Sequence, residues 1–188
     1  MNKAVFLDKD GTLIVDVPYN VNPDLVTFQE GVIEGLIQLQ QNGFELIVIT
    51  NQPGVALGLF SLEDLKKLIT YFFEVFKENG ITLGGFYFCP HAPGGYDQLQ
   101  KNCKCRKPSP GLILEAARDL NIDLSSSWMV GDILNDVEAG RQAGCKTVLI
   151  NNGNETEWIL NRSRTPDYMA ANFRHASDFI LSEVNLKL

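Results

Sequence analysis

The sequence predicts an α/β fold: a parallel sheet, doubly wound in the Rossmann-like manner, with helices on both faces. Three observations carry that prediction. Short apolar runs of strand character alternate with segments of helical period from one end of the chain to the other. The apolar runs are nearly continuous rather than alternating polar and apolar, as strands buried on both faces require. No internal repeat, low-complexity tract or linker interrupts the series, so 1–188 reads as one domain.

The elements follow in order. "AVFL" (4–7) is a short strand closed by Asp8. "GVIEGLIQLQQNG" (31–43) sets Val32, Leu36 and Leu39 on one helical face and stops at Gly43. "FELIVIT" (44–50) is a buried strand. The helix over 61–80 opens with a Ser61/Asp64 capping signal, repeats apolar residues at Leu65, Ile69, Phe72 and Phe76, and ends on Gly80. "GFYFC" (85–89) is a third strand, 109–122 a helix with Pro110 near its start, and 127–132 a fourth strand. A helix over 135–144 and a fifth strand over 146–151 complete the alternation. The remainder is a loop rich in Asn and Arg, then a last helix over 175–184.

Composition narrows the function. A chain of 188 residues that is 45% hydrophobic and 21% charged can bury a substantial core. Its net charge of −7 argues against a nucleic-acid partner, which calls for a basic face, but leaves room for a small anionic substrate met by a few local cations. No stretch has the length of a membrane span, and the N-terminal apolar run is too short for a signal peptide. The expectation is a cytoplasmic monomer with no membrane partner, whose thiols stay reduced.

In parallel sheets, ligands bind beyond the carboxyl ends of the strands. The polar residues that follow the apolar runs are Asp8, Thr50, Cys89 and Asp132, all predicted at one edge. "DKDGT" adds Asp10, and "GDILND" adds Asp136 one helical turn after Asp132. Carboxylates converging there would repel unless a cation sat among them, and hard oxygen ligands suit Mg²⁺. A D-x-D pair alone is no more than a surface turn; the strand-end partners give it weight. Lys9, between the two aspartates, is expected to point the other way.

"DKDGT", "TN" after a strand, the Lys of "RKPSPG" and "GDILND", in that order over residues 8–136, resemble the four motifs of the haloacid dehalogenase superfamily of phosphohydrolases. The resemblance implies a sheet of that type and a small phosphorylated sugar or similar phosphomonoester as substrate. It implies Asp8 as nucleophile, forming an aspartyl-phosphate, and Asp10 as general acid and base. Mg²⁺ would be held by Asp8, the Asp10 backbone carbonyl and Asp132. Thr50, Asn51, Gln52, Arg106 and Lys107 would meet the phosphate or substrate, with Asp136 orienting Lys107 or a metal-bound water.

Cys89, His91, Cys103 and Cys105 form a C-x-H … C-x-C set. Three thiolates and an imidazole make a closed, structural zinc site. The competing readings are scattered soft residues and a redox pair at Cys103/Cys105. Gly94 and Gly95 let the loop, 89–107, double back, and zinc would hold its exit, Arg106 and Lys107, over the phosphate. Cys145 reads as core. The loop and "TNQPGVALGLFS" resemble the superfamily's zinc-loop subgroup, which includes heptose bisphosphate phosphatases and histidinol-phosphatases. A polynucleotide 3′-phosphatase and a non-catalytic zinc module fit less well, the first for want of a basic track. One departure is Leu57, where the subgroup commonly has an Arg; the missing cation counts against distal recognition of a heptose bisphosphate, for which Arg106 could still serve, while Arg162 and Arg164 are expected to be solvated. No separate cap domain is expected.

Overall fold

In the computed structural model, residues 1–94 and 103–185 are described; the stretch 95–102 of the cysteine loop, including Gly95, lies outside the described residues. Along the chain run β1 (Lys3–Leu7), α1 (Val32–Gln41), β2 (Phe44–Asn51), α2 (Leu62–Glu78), β3 (Leu83–Cys89), α3 (Gly111–Asp119), β4 (Trp128–Gly131), α4 (Leu134–Ala143), β5 (Lys146–Ile150), β6 (Tyr168–Ala170) and α5 (Phe173–Asn185). The strands form one sheet in the order β3-β2-β1-β4-β5-β6, every neighbouring pair parallel. Among the described residues no helix is long and apolar enough to cross a membrane.

The five expected strands form, and a sixth joins them. β6 spans three residues, too short to leave a periodic signal, and it follows the polar stretch read as loop. The helix expected over 109–122 is shorter. It ends at Asp119 with Leu120 as its C-cap, and Asn121 then takes a left-handed φ of 53°, which breaks the helical path. α2 begins with the capping box read from Ser61 and Asp64: the Ser61 hydroxyl accepts from the Asp64 amide at 3.1 Å, and the Asp64 carboxylate accepts from the Ser61 amide at 3.2 Å.

Each strand feeds both faces of the sheet, because successive side chains point opposite ways. Val5 and Leu7 of β1 pack in one cluster with Leu36 and Leu39 of α1, Phe72 and Phe76 of α2, and Phe173 and Ile180 of α5. Ala4 and Phe6 pack in the other with Leu112, Ile113 and Ala116 of α3 and Ala139 of α4. The winding direction therefore reverses between β1 and β4, the central pair. At such a switch point the loops leaving two adjacent strands part to opposite faces and open a crevice at the carboxyl edge.

Phe72 is fully buried at the centre of the first cluster, its ring 5.8 Å from those of both Phe76 and Phe86. Phe72→Ala should cost about 3–5 kcal/mol of stability. Denaturant unfolding reads this directly; a loss below about 1 kcal/mol would show that the aromatic cluster closes over the gap.

Candidate active site

The crevice between β1 and β4 is lined by Asp8, Lys9, Asp10, Thr50, Gln52, Arg106, Lys107, Asp132 and Asp136, among others, and encloses ≈ 380 Å³. Asp8 extends β1 by one residue, its amide donating to the Val130 carbonyl at 3.0 Å. The chain then turns at Gly11, with φ at 80°. A side chain here would be strained and its Cβ would overlap the Asp132 carboxylate. Gly131 is needed for a similar reason. It ends β4 directly under Asp136, and a Cβ would overlap that side chain.

Carboxylate oxygens of Asp8, Asp132 and Asp136, all buried, lie within 4.8 Å of one another. One ammonium stands among them. Lys107 Nζ is paired with Asp8, lies 2.6 Å from Asp136 Oδ1, and donates to the Ile49 carbonyl at 2.9 Å. Burial pushes the Asp8 carboxyl well above the usual carboxylate range; Lys107 draws it down, while the other three aspartates push it further up. Asp132 is pushed up to about 7, by burial first and Asp136 next, against the pull of Asn154 and Lys107. Burial alone would lower Lys107, but Asp136 and Asp8 outweigh it and the ammonium is held charged. With all three ionised, three carboxylates against one ammonium would leave two negative charges in excess. A hard divalent cation with oxygen preference fits this donor set and this charge. Asp8 and Asp132 are placed to hold it: both oxygens of Asp136 are engaged, Oδ1 by Lys107 and Oδ2 by the Ile133 amide at 3.2 Å, whereas Lys107 meets Asp8 at Oδ1.

Lys107 reaches the crevice through its backbone placement. Its amide donates to Asn51 Oδ1 at 3.0 Å, and Asn51 Nδ2 donates to the Lys107 carbonyl at 3.1 Å. Asn51 thereby splices the end of β2 to the exit of the cysteine loop. Gln52 Nε2 donates to Asp10 Oδ2 and to the Thr50 hydroxyl, both at 2.9 Å. The Thr50 hydroxyl keeps its own proton to give.

Lys9 departs from the sequence reading. It is 1% exposed, lines the crevice, and sets its ammonium 2.7 Å from Asp10 Oδ1. The strand has ended at Leu7, so two-residue alternation no longer governs where Lys9 points. Residues 152–155 are a further surprise. Asn152 Nδ2 donates to the Gly11 carbonyl at 2.7 Å, Asn154 Nδ2 to Asp132 Oδ2 at 2.7 Å, and Glu155 accepts from the Leu134 amide at 2.5 Å. Only Thr12, which donates to Asp132 Oδ1 at 3.2 Å, left a trace in the sequence, inside "DKDGT".

The four soft side chains converge as tightly as the carboxylates. Every pair among the sulfurs of Cys89, Cys103 and Cys105 and Nδ1 of His91 lies between 2.8 and 3.5 Å apart. All four cysteines of the chain are free thiols. A redox pair would bring two sulfurs together and leave the others out; four soft donors around one centre fit a tetrahedral thiolate–imidazole metal site, whose edges are roughly 3.7 Å for zinc. Arg106 is anchored to this cluster, its Nη1 donating to the His91 carbonyl at 3.0 Å. Among the described residues, it alone of the three cations lining the crevice has no carboxylate partner, Lys9 and Lys107 being ion-paired. Leu57, Arg162 and Arg164 are outside the lining; Arg164 instead faces Glu138 at 3.6 Å and Asn135 at 3.3 Å. Cys145 is buried in the second core cluster.

A family model described as HAD-hydrolase-like matches residues 104–176. The D-glycero-beta-D-manno-heptose-1,7-bisphosphate 7-phosphatase of Haemophilus ducreyi is 45% identical over 153 residues, which covers 80% of this chain and 84% of that protein. The protein of the same name from Escherichia coli is 39% identical over 168 residues, covering 84% and 88%. Among solved structures, the D,D-heptose 1,7-bisphosphate phosphatase of B. bronchiseptica, complexed with magnesium and phosphate, superposes with a TM-score of 0.78. It is 27% identical, and the match covers 97% of this chain and 99% of that one.

Gly11→Ala should displace Asp132 or open the turn beneath it. A shift near 1 Å in a reacting constellation costs about 10²-fold in rate. Phosphomonoester hydrolysis by the variant should fall by that order while the folded state persists; unchanged turnover would show that the turn relaxes without moving Asp132.

Proposed function

The chain belongs to the haloacid-dehalogenase-like hydrolases, in the family of the heptose-1,7-bisphosphate 7-phosphatases, and on that footing we propose that it removes one phosphate from a heptose bisphosphate. It is a phosphatase, as its relatives are. The observation that carries the substrate-site reading is the single ammonium of Lys107 set against Asp8 and Asp136, beside a carboxylate-rich hollow with room for a divalent cation.

In this reading Asp8 attacks phosphorus through a carboxylate oxygen, the P–O bond to the sugar breaks, and the leaving oxygen takes a proton from Asp10. Water then attacks the aspartyl-phosphate, gives its proton to Asp10, and inorganic phosphate leaves with Asp8 restored. Asp8, Asp132 and the Asp10 carbonyl would hold Mg²⁺, whose charge would let an anionic nucleophile approach an anionic phosphoryl group. Lys107 and the Thr50 hydroxyl face the phosphoryl oxygens, and Asp136 keeps Lys107 charged. Asn51 acts through the Lys107 backbone, and Gln52 and Lys9 hold the Asp10 carboxylate. Arg106 is the cation left to receive the second phosphate. Cys89, His91, Cys103 and Cys105 would hold a structural zinc, which would fix the loop from which Arg106 and Lys107 reach the crevice. No cap covers the crevice among the described residues, so selectivity falls to the rims around Tyr19, Gln52 and Arg106.

A phosphate-release assay with heptose 1,7-bisphosphate, a heptose monophosphate and histidinol phosphate tests the substrate. The bisphosphate should give the highest kcat/KM, and a preference for histidinol phosphate would redirect the assignment. Asp8→Asn keeps the shape and removes the nucleophile, so turnover should drop below detection at every magnesium concentration. Retention of more than about 1% would contradict covalent catalysis, given the 10²–10⁴-fold that even a lost acid-base group costs.

Protein purified under reducing conditions without chelator should carry one zinc per chain by elemental analysis. Cys103→Ser should lose that zinc, unfold at lower temperature and hydrolyse more slowly, with no recovery on adding magnesium. A fully active, zinc-free variant would remove the metal from the loop's role.

A further inference from the structure

The loop after β5 carries no phosphatase motif, yet it returns to the crevice and touches both of its acidic arms. Asn152 ties it to the turn after Asp8 through the Gly11 carbonyl, and Glu155 ties it to the first turn of α4 through the Leu134 amide. Between these anchors Asn154 is fixed in turn, its amide donating to Asn152 Oδ1 at 3.2 Å. Its side chain has one polar partner in the crevice, Asp132 Oδ2 at 2.7 Å. A carboxylate only accepts, so the nitrogen of the Asn154 amide must face it.

We propose that Asn154 is a positioning residue that orients the Asp132 carboxylate for the divalent cation, with residues 152–155 as the strap that holds it there. The inference rests on the metal-dependent reading of the crevice. Asp132 is almost fully buried and receives one donor on each oxygen, Thr12 on Oδ1 and Asn154 on Oδ2. Two donors on opposite oxygens fix the rotation of the carboxylate about χ2. One lone pair on each oxygen is left for a cation. Removing Asn154 leaves the carboxylate held at Oδ1 only, by the longer of the two bonds. Partners that orient a metal ligand in this way are typically worth about 10- to 100-fold in metal affinity. Asn154 is exposed, so losing its side chain opens no cavity in the core.

The test uses the full chain with zinc in place. Mn²⁺ binding, followed by the loss of the free-ion electron paramagnetic resonance signal, reads the site without turnover. The Mg²⁺ concentration for half-maximal phosphate release reads it with turnover. Asn154→Ala should weaken Mn²⁺ binding and raise the half-maximal Mg²⁺ concentration about tenfold or more, while most of the rate returns at high Mg²⁺. Asn154→Ser, which keeps a donor on a shorter arm, should fall between the two. Melting temperature and zinc content should match the unsubstituted protein. Equal Mn²⁺ affinity in the unsubstituted protein and Asn154→Ala, or a lost rate that high Mg²⁺ fails to restore, would overturn the assignment. An unsubstituted protein that binds no divalent cation would instead overturn the functional reading on which the inference stands.

Discussion

The like-charge repulsion among Asp8, Asp132 and Asp136 is the constraint around which this molecule is arranged. Two carboxylates about 4 Å apart repel by roughly 4 kcal/mol at an effective dielectric of 20, and burial adds a desolvation cost to each. Three of them at one sheet edge hold together only if cations are delivered to them. Lys107 is one, carried from 99 residues away in sequence to meet Asp8. Its placement explains why the winding reverses at β1 and β4: the reversal opens the space in which an ammonium, and a metal beside it, can sit between two strand ends.

Delivery of that ammonium is handled from two sides. Asn51 grips the Lys107 backbone from the end of β2, and the cysteine–histidine cluster meets the loop one residue earlier, through Arg106 and the His91 carbonyl. Preorganised charge is what electrostatic stabilisation of a phosphoryl-transfer transition state requires, because charge that must first be brought into place spends the gain in reorganisation. A loop rich in glycine with few apolar side chains has no core with which to do this. The convergence of Cys89, His91, Cys103 and Cys105 and a backbone splice take the place of packing.

Much of this was legible in the sequence, because the signals are local. Asp8 follows "AVFL" directly, Asp132 follows "SWMVG", and the C-x-H and C-x-C pairs declare themselves by spacing. The convergence of those four soft ligands needed only that the loop close. What escaped was set by tertiary placement. Asn154 is 22 residues from Asp132 in sequence, in a segment with neither strand nor helix period, and one Asn among several carries no signal of its partner. Lys9 was misdirected by extending strand alternation one residue past the strand's end. β6, three residues long, joins the sheet through its pairing with β5 rather than through its own pattern.

The central position of β1 also bears on how the chain must come together. β1 is the first strand made, and its two neighbours are far apart in sequence: Lys3 pairs with Phe44, whereas Val5 pairs with Trp128. During synthesis the β2 edge is available early, but the β4 edge stays bare until more than two thirds of the chain exists. Contacts of such long sequence separation form late, since loop closure is spent before the contact rewards it. Throughout that interval "AVFL" presents unpaired backbone and apolar side chains to whatever else is present. The same late event brings Asp132 beside Asp8, so completion of the sheet and assembly of the acidic crevice are one step.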